Sequence, residues 1–236
     1  MNEENSQKQI IVGFSGNIGA GKSKLSKLTA AFLDFELIPE VVNEDILNEY
    51  YAAIQRGTYN IISYKTQLYF VQTRGAQLVA IRASDRSAVL DRLMDEDIYV
   101  FSKNLVAREL MKQEEYQHII NTRDANIEIA GYPDLTIYLR TSIPKLRERI
   151  EKRIRLEPRR ENERALLDPH NSYLEDLNIL YEQWFEQYEG PKVALETDDL
   201  ILADRLGRSP FSHGHILPTL QRIEDMVMNE NYNKDS

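Results

Sequence analysis

Short apolar runs alternate along the chain with longer stretches in which apolar residues recur at helical spacing. The apolar runs predict five strands, at 10–14, 35–39, 87–90, 135–139 and 192–195. The intervening periodicity predicts helices at 22–33, 40–55, 61–82, 98–111, 116–129, 143–155, 172–188 and 217–228. Because strands and helices alternate, we expect an α/β fold with a parallel five-stranded sheet and helices on both faces.

Composition sets the broad class of protein. With 236 residues and a hydrophobic fraction of 42%, the chain fits one α/β domain that comprises residues 1–236. No apolar run is long enough to span a bilayer, and the first residues lack the features of a secretory signal. The absence of cysteine excludes disulfides and thiolate metal sites. These features predict a soluble protein without membrane association and are compatible with the cytoplasm.

The charge is unevenly distributed. The net charge of −9 argues against nucleic acid as a partner, because a phosphate polymer would be repelled by most of the surface. Residues 145–164 depart from this average, with nine Lys or Arg side chains against five Glu. This arginine-rich stretch and the polar residues after it suit a lid, at about 149–171, that closes over phosphates. A solvated end of a charged helix is the alternative.

The first predicted strand leads into a glycine-rich loop that fits the phosphate-binding loop (P-loop) pattern. The loop reads GNIGAGKS and comprises Gly16, Asn17, Ile18, Gly19, Ala20, Gly21, Lys22 and Ser23. Its glycines let backbone N–H groups turn toward a triphosphate, and the following helix adds its positive end. Lys22 can reach the β- and γ-phosphates, and the Ser23 hydroxyl can bind Mg²⁺. The loop therefore predicts binding of ATP, or another nucleoside triphosphate, with Mg²⁺.

Acidic residues follow the next two predicted strands. Glu40 comes after the second strand, and Asp91 and Arg92 come after the third. Ligands bind at the carboxyl ends of parallel strands, so these side chains are candidates for chemistry. Asp91 can bind the Mg²⁺ held by Ser23, and Arg92 can neutralise phosphate oxygens. By position alone, Glu40 is equally well explained as a stabilising carboxylate at the start of the helix at 40–55.

Polar residues also interrupt two apolar helix faces. Gln67 and Arg74 lie seven residues apart in the helix at 61–82 and share a face. Asp97 and Phe101 lie one helical turn apart. A glutamine among apolar neighbours can present a donor and an acceptor to the edge of a base. The alternative is that Gln67 and Arg74 are ordinary surface residues.

Together these residues resemble the deoxyribonucleoside kinase family, which includes deoxycytidine, deoxyguanosine and deoxyadenosine kinases, over about residues 10–195. The matching features are GNIGAGKS, Glu40, Gln67, Asp91 with Arg92, D-x-x-x-F at Asp97 and Phe101, R-x-x-x-R-x-R at Arg149, Arg153 and Arg155, and YLE at 173–175. The resemblance implies a P-loop kinase fold with an arginine-rich lid. It also implies transfer of phosphate from ATP or another nucleoside triphosphate, with Mg²⁺, to the 5′-hydroxyl of a deoxynucleoside.

The resemblance assigns roles to the residues of phosphate transfer. Glu40 is expected to be the general base that takes the proton from the 5′-hydroxyl, and Arg92 to hold that hydroxyl and the transferring phosphate. Arg153 and Arg155 are expected to stabilise charge on the γ-phosphate, with Arg149 at the edge of the lid as an ATP-binding residue.

The resemblance also assigns a site for the base. Gln67 is expected to make a two-pronged contact to the base, and Phe101 to stack against it. Family members that accept cytosine or purines have an Arg and Asp pair beside the base, and Arg74 and Asp97 occupy those positions. We therefore expect a purine deoxynucleoside or deoxycytidine as substrate rather than thymidine.

The chain departs from the family pattern in several places. Val41 stands where proline is common after the base Glu, and Leu93 stands where Ser is common after acid-Arg. For the sugar 3′-hydroxyl the family uses a tyrosine before the glutamine helix and a glutamate after the lid arginines. Here Tyr51 is the expected tyrosine, with Tyr50 and Tyr59 as competitors. Glu157 is the nearest match to the glutamate, shifted by one residue within an unusually long lid.

Family membership further implies a cytoplasmic enzyme of nucleotide salvage that supplies DNA precursors. It implies a homodimer packed through the helices at 61–82 and 98–111. The C-terminal extension, at about 201–236, has no assigned role, and its His213 and His215 are interpreted as loop residues.

Two other functions use similar motifs. A nucleoside monophosphate kinase resembling thymidylate kinase also has a P-loop, an acid-Arg motif and a basic lid. Glu40 argues against it, because a monophosphate acceptor calls for a cation at that place. A nucleotide-binding regulatory protein would need neither the second polar cluster nor the lid.

Overall fold

The computed structural model describes residues 8–41, 45–46, 49, 60–200 and 216–228. Within these residues five parallel strands form one sheet with the order β2-β3-β1-β4-β5. The strands are β1 (Ile11–Gly16), β2 (Glu36–Ile38), β3 (Ala88–Leu90), β4 (Leu135–Arg140) and β5 (Lys192–Glu196). The prediction of a parallel five-stranded sheet is confirmed.

Helices connect the strands and cover both faces of the sheet. They are α1 (Lys22–Leu33), α2 (Asn60–Arg82), α3 (Met94–Glu96), α4 (Lys103–Ala107), α5 (Gln113–Ala130), α6 (Ile143–Leu156), α7 (Tyr173–Gln187) and α8 (Leu217–Met228). A π-helical turn (Asp97–Ser102) joins α3 to α4. A succession of short 3₁₀ turns (Pro158–Leu167) follows α6. Most of the helix predicted at 40–55 lies outside the described residues.

The predicted bounds of the helix at 98–111 are wrong. Helical structure begins at Met94 and ends at Ala107, with the π-helical turn in between. Its first turns carry the acids Asp95, Glu96 and Asp97, all of which are buried. An apolar periodicity could not detect a helix start whose inward positions are acidic. The π-turn also breaks the 3.6-residue spacing on which the prediction depends.

The side chains of the strands alternate between two apolar cores. Val12 and Phe14 of β1 pack on one side of the sheet with Leu25 of α1 and Leu220 of α8. Ile11 packs on the other side, with residues of α2 and α7. Strands buried on both faces read as continuous apolar runs, which is the pattern that predicted them.

The predicted lid begins within α6 and includes the 3₁₀ turns. Leu166 is buried there against Ile150 and Ile154 of α6 and Leu174 of α7. The lid is therefore anchored by apolar contact as well as by its charges. In the part of the chain that the structure describes, none of the helices has the length and apolar character needed to cross a bilayer.

A buried ion pair joins α3 to α5. Asp95 Oδ1 lies 2.6 Å from Arg123 Nη2 and 3.0 Å from Arg123 Nε, and both side chains are buried. We expect Arg123→Met to lower the free energy of unfolding by about 3 to 5 kcal/mol, because it leaves a buried carboxylate without a counter-ion. The double variant Asp95→Leu with Arg123→Met should recover most of that loss. Urea denaturation of both variants tests this, and a double variant no more stable than the single one would contradict it.

Candidate active site

The P-loop connects β1 to α1 in the conformation that an anion site requires. Gly16, Gly19 and Gly21 have φ angles of 148°, 87° and 100°. Residues with a side chain rarely adopt such angles, so glycine is needed at these positions. A Cβ at Gly19 would also lie only 3.0 Å from Ile150 Cγ1. The loop is therefore closely packed against α6, and α1 begins at Lys22 with its amide groups facing the loop.

Lys22 is folded into the loop. Its Nζ donates to the carbonyl oxygen of Gly16 and, at 3.2 Å, to that of Asn17. Burial lowers the pKa of Lys22 to about 8, and the nearby Arg92 guanidinium acts in the same direction. A cation in this environment gains stability when an anion enters the loop.

Asn17 anchors the P-loop to α7. Its Nδ2 donates to the carbonyl oxygen of Leu174 at 3.0 Å, and its Oδ1 accepts from the backbone N–H of Ile18 at 2.8 Å. The motif predicted Asn17 only as a loop residue. The contact with Leu174 spans 157 positions of sequence, so no local pattern could have revealed it.

Asp91 and Ser23 meet beside the P-loop. They can do so because β3 is the neighbour of β1 in the sheet. The Asp91 carboxylate accepts a hydrogen bond from the Ser23 side chain. Burial raises the pKa of Asp91, and its Oδ1 is buried and has no hydrogen-bond partner within the described part of the chain. A free carboxylate oxygen beside a hydroxyl fits a hard divalent cation that is bound mainly by phosphates and water.

Glu40 lies between two guanidinium groups. Its Oε1 is 2.7 Å from Arg74 Nη2 and 2.9 Å from Arg92 Nε. This contact arises because β2 and β3 pair in parallel with Ile38 beside Leu90, so Glu40 and Arg92 extend from the same edge of the sheet. Burial would raise the pKa of Glu40, but Arg92 and Arg74 lower it to about 2. The carboxylate is therefore ionised across the neutral range.

Arg74 joins Glu40 to a second carboxylate. Its Nη1 donates to Asp97 Oδ2, and its guanidinium lies 4.6 Å from the centre of the Phe70 ring. Burial raises the pKa of Asp97 to about 7, although Arg74 opposes the change. Both Arg74 and Asp97 are buried. The alternative that Arg74 is an ordinary surface residue is wrong.

Gln67 is buried as well, with an exposed fraction of 4%. Its Oε1 has no hydrogen-bond partner among the described residues. A buried amide oxygen without a partner is costly, so a ligand that donates a hydrogen bond could be accommodated at this position. The surface alternative is therefore wrong for Gln67 too.

Phe101 lies in the π-helical turn, with the Arg92 guanidinium 5.3 Å from its ring centre. Its ring meets Tyr181 edge to face at 6.3 Å. Tyr181 and Glu96 are the residues around Arg92 that the sequence did not single out. Tyr181 lies within the helix predicted at 172–188, and Glu96 lies just before the helix predicted at 98–111, so neither position suggested a contact with Arg92.

The three lid arginines have different surroundings. Arg149 donates to the carbonyl oxygen of Ala20 at 2.9 Å and to that of Thr197, so it connects the P-loop to the end of β5. Arg153 pairs with Glu163. Arg155 is exposed and makes no ion pair with any described residue. Arg155 is thus available to a ligand, whereas Arg153 would have to exchange Glu163 for phosphate oxygens.

The expected contacts to the 3′-hydroxyl are not assembled in the described structure. Glu157 pairs with Arg160 at 2.9 Å and Arg159 at 3.3 Å within the lid. The hydrogen bond from Arg160 lowers the pKa of Glu157. Tyr51, with its competitors Tyr50 and Tyr59, lies outside the described residues.

Comparison with known proteins adds a family match. The family model described as deoxynucleoside kinase matches residues 12–208. A deoxyadenosine/deoxycytidine kinase of Bacillus subtilis (strain 168) is 28% identical over 203 residues, which cover 84% of this chain and 88% of that protein. A deoxyadenosine kinase of Lactobacillus acidophilus is 30% identical over 199 residues, which cover 81% of this chain and 87% of that protein.

A solved structure shares the fold. The structure of deoxyadenosine kinase from M. mycoides with bound dATP superposes with a TM-score of 0.67 at 25% identity. The superposition covers 92% of this chain and 100% of that one. The expectation of a P-loop kinase fold is therefore confirmed.

Proposed function

The chain belongs to the deoxynucleoside kinase family, whose members are enzymes, and from this premise we propose which reaction it performs and with which residues. The reaction is transfer of the γ-phosphoryl group of ATP, or another nucleoside triphosphate, to the 5′-hydroxyl of a deoxyribonucleoside. The substrate is a purine deoxynucleoside or deoxycytidine, and the product is its 5′-monophosphate. The observation that carries the proposal is the ionised Glu40 carboxylate, which Arg92 and Arg74 hold at the sheet edge that also bears the P-loop.

Glu40 is the proposed general base. The 5′-oxygen forms a bond to the γ-phosphorus, the bond from that phosphorus to the β–γ bridging oxygen breaks, and the hydroxyl proton goes to Glu40. A pKa of about 2 makes Glu40 a weak base before substrate binds. When Arg92 turns its charge toward the transferring phosphoryl group, Glu40 loses part of that stabilisation. Its affinity for the proton then rises at the step where the proton is released.

The triphosphate is proposed to lie in the P-loop. Residues Gly16 to Ser23 supply backbone N–H groups and the Lys22 ammonium. Ser23 and Asp91 would hold Mg²⁺, which supplies charge neutralisation for the phosphates when bound. Arg153 and Arg155 contact the γ-phosphate from the lid. Arg149, at the edge of the lid, contacts the ATP beside the P-loop.

The base is proposed to lie between Gln67 and Phe101. The unpaired Oε1 of Gln67 accepts a hydrogen bond from the base, and Phe101 stacks on it. Arg74 and Asp97 form a fixed donor and acceptor pair beside it. Such a pair suits the amino group of adenine or cytosine, which donates, together with the neighbouring ring nitrogen, which accepts. The names of the deoxyadenosine/deoxycytidine and deoxyadenosine kinase relatives support this choice. Tyr51 and Glu157 remain the proposed contacts to the 3′-hydroxyl.

The remaining proposals follow from the family. Residues 1–236 form a single kinase domain with a lid at about 149–171 and a C-terminal extension at about 201–236. The enzyme acts as a homodimer in the cytoplasm and takes part in nucleotide salvage. Light scattering of the purified chain measures the mass of the assembly, and a monomer at working concentration would contradict the dimer.

An activity panel tests the reaction. With ATP and Mg²⁺ we expect phosphorylation of deoxyadenosine, deoxyguanosine or deoxycytidine at a kcat/KM at least about 100-fold above that of thymidine, since a site built to pair with a base rejects one that leaves its groups unpaired. The four deoxynucleoside monophosphates serve as matched acceptors. Activity on the monophosphates alone would instead identify a nucleoside monophosphate kinase. Tight binding of nucleotide without any transfer would favour a regulatory protein.

A further inference from the structure

A second carboxylate contacts Arg92 on the side away from Glu40. Arg92 Nη1 lies 3.2 Å from Glu96 Oε2, whereas Arg92 Nε lies 2.9 Å from Glu40 Oε1. The guanidinium is thus held between two acids. Glu96 has an exposed fraction of 0%, and a carboxylate that is fully withdrawn from water must be well paired to be tolerated.

Glu96 is fixed from two further directions. Its Oε2 accepts a hydrogen bond of 2.6 Å from the Tyr181 hydroxyl, and its Oε1 accepts one of 3.2 Å from the backbone N–H of Leu93. Tyr181 belongs to α7 and Leu93 to the turn before α3. Two donors, one from α7 and one from the turn before α3, therefore set the position of this carboxylate, and through it the position of Arg92.

Tyr181 also contacts the residue proposed to stack on the base. Its ring meets Phe101 edge to face, with an angle of 89° between the planes. The Arg92 guanidinium lies over the Phe101 ring, 5.3 Å from the ring centre. Phe101, Tyr181, Glu96 and Arg92 form a closed set of contacts that connects the proposed base site to the proposed phosphate-transfer site.

We propose that Glu96 and Tyr181 are positioning residues for Arg92, an inference that rests on the proposed kinase function. Glu96 keeps the guanidinium from moving fully onto Glu40, where it would suppress proton uptake by that base. It also remains as the counter-ion of Arg92 after Glu40 accepts the hydroxyl proton. The Tyr181 hydroxyl holds Glu96 in place, and the Tyr181 ring fixes the position of the Phe101 ring by edge-to-face contact.

Two variants test the role of this pair. Glu96→Gln keeps the size of the side chain and removes its charge, and it should lower kcat by about 10- to 100-fold, the range typical of outer residues that orient a reacting group. The KM for ATP should change less than about twofold, because the P-loop is untouched. Tyr181→Phe removes only the hydroxyl and should lower kcat by about 3- to 10-fold. Because the two residues act through one carboxylate, the double variant should be no slower than Glu96→Gln alone.

The chain provides a matched control in the same aromatic stack. Tyr138 stacks on Tyr181 with ring centres 5.9 Å apart, and its hydroxyl donates to Glu182 at 2.9 Å. Glu182 in turn pairs with Arg140 at 2.7 Å. The ion pairs of Arg92 with described residues are to Glu40 and Glu96, so Glu182 of this second Tyr–Glu–Arg arrangement is not among its partners. Glu182→Gln and Tyr138→Phe therefore make the same chemical changes and should leave kcat within about twofold.

The outcomes separate this inference from the proposed function. All variants are compared with the unaltered chain at equal folded concentration, verified by thermal unfolding. An unaltered chain without activity on any deoxynucleoside overturns the proposed function. An active chain whose Glu96→Gln and Tyr181→Phe variants match it in kcat overturns the positioning role alone, as does an equal loss in the Glu182→Gln control. If Glu96→Gln does not fold, the comparison of Tyr181→Phe with Tyr138→Phe decides.

Discussion

Replacing Glu40 with Gln should lower kcat by about 10²- to 10⁴-fold, the contribution typical of a general base. The substitution keeps the length of the side chain and a hydrogen-bond acceptor for Arg92, so the site should remain assembled. What it removes is the ability to take up the hydroxyl proton during transfer. Steady-state kinetics with the preferred deoxynucleoside and saturating ATP measure the loss. Binding of ATP, followed by calorimetry, should change less than about threefold because Glu40 does not line the P-loop.

A carboxylate on β2, the strand that precedes Glu40, provides the control. Glu36 of β2 pairs with Arg86 at 2.7 Å, at a more exposed position with no contact to Arg92. Glu36→Gln should keep kcat within about twofold of the unaltered chain. Equal turnover in Glu40→Gln and Glu36→Gln would remove Glu40 from the chemistry.

The pH profile gives an independent check. Arg92 and Arg74 lower the pKa of Glu40 to about 2 in the free protein. A carboxylate is ionised above its pKa, so Glu40 should add no acidic limb to kcat/KM between about pH 5 and 8. A limb near pH 4 to 5 that disappears in Glu40→Gln would mean that the free protein does not hold Glu40 between the two guanidinium groups.

Local sequence patterns were sufficient for the parts of the fold that depend on local physics. The five strands are continuous apolar runs because both faces of the sheet are covered. The P-loop was predictable because glycines at Gly16, Gly19 and Gly21 are the residues that its φ angles demand. The same reasoning located the end of each strand, and hence Glu40 and Arg92, at one edge of the sheet.

The contacts between these residues depend on tertiary structure and were not predictable. Gln67 and Arg74 are polar, so their residue types alone favoured the surface, and only the structure shows that both are buried, as is Asp97. The link from Arg74 to Glu40 spans 34 positions, and the bond from Tyr181 to Glu96 spans 85. Such pairs have no local pattern. The resemblance to a family suggested candidate residues for the site, but it did not suggest Glu96 or Tyr181 as neighbours of Arg92.

The lid is another region whose structure was only partly predictable from the sequence. Residues 156–171 read as a polar loop interrupted by Pro158 and Pro169, yet residues 158–167 form 3₁₀ turns that bury Leu166. Arginine and glutamate are interspersed in these turns. Ion pairs such as those of Glu163 with Arg160 and with Arg153 of α6 stabilise turns that have little apolar content. Composition predicted the charge of the lid but not its helical turns.

Replacing Arg74 and Asp97 together with apolar residues should shift the preference toward thymidine. In the double variant Arg74→Met with Asp97→Val we expect the ratio of kcat/KM for thymidine to that for the originally preferred deoxynucleoside to rise by about 10³-fold. The reason is that the variant replaces the buried Arg74 donor and Asp97 acceptor with apolar side chains. In the unaltered chain a ring nitrogen of adenine or cytosine accepts from Arg74, and the amino group beside it donates to Asp97. Competition kinetics with both substrates in one reaction measure the ratio directly.

Both changes are needed because the two side chains compensate each other. Asp97→Val alone leaves Arg74 buried with Glu40 as its remaining partner, and Arg74→Met alone leaves Asp97 buried without a counter-ion. The double variant leaves Glu40 paired with Arg92. The pKa of Glu40 should then rise from about 2 toward its usual value, which keeps the carboxylate ionised at neutral pH. Turnover should therefore persist while specificity changes.

The other buried Asp and Arg pair gives the control for this experiment. Asp95→Leu with Arg123→Met removes a pair of the same chemistry that joins α3 to α5 and makes no contact with Glu40. We expect the ratio of thymidine to preferred substrate to stay within about twofold in that variant. An unchanged ratio in the Arg74 and Asp97 variant would place the base elsewhere in the protein. A similar shift in both variants would show that loosening the helices, rather than removing the donor and acceptor pair, admits thymidine.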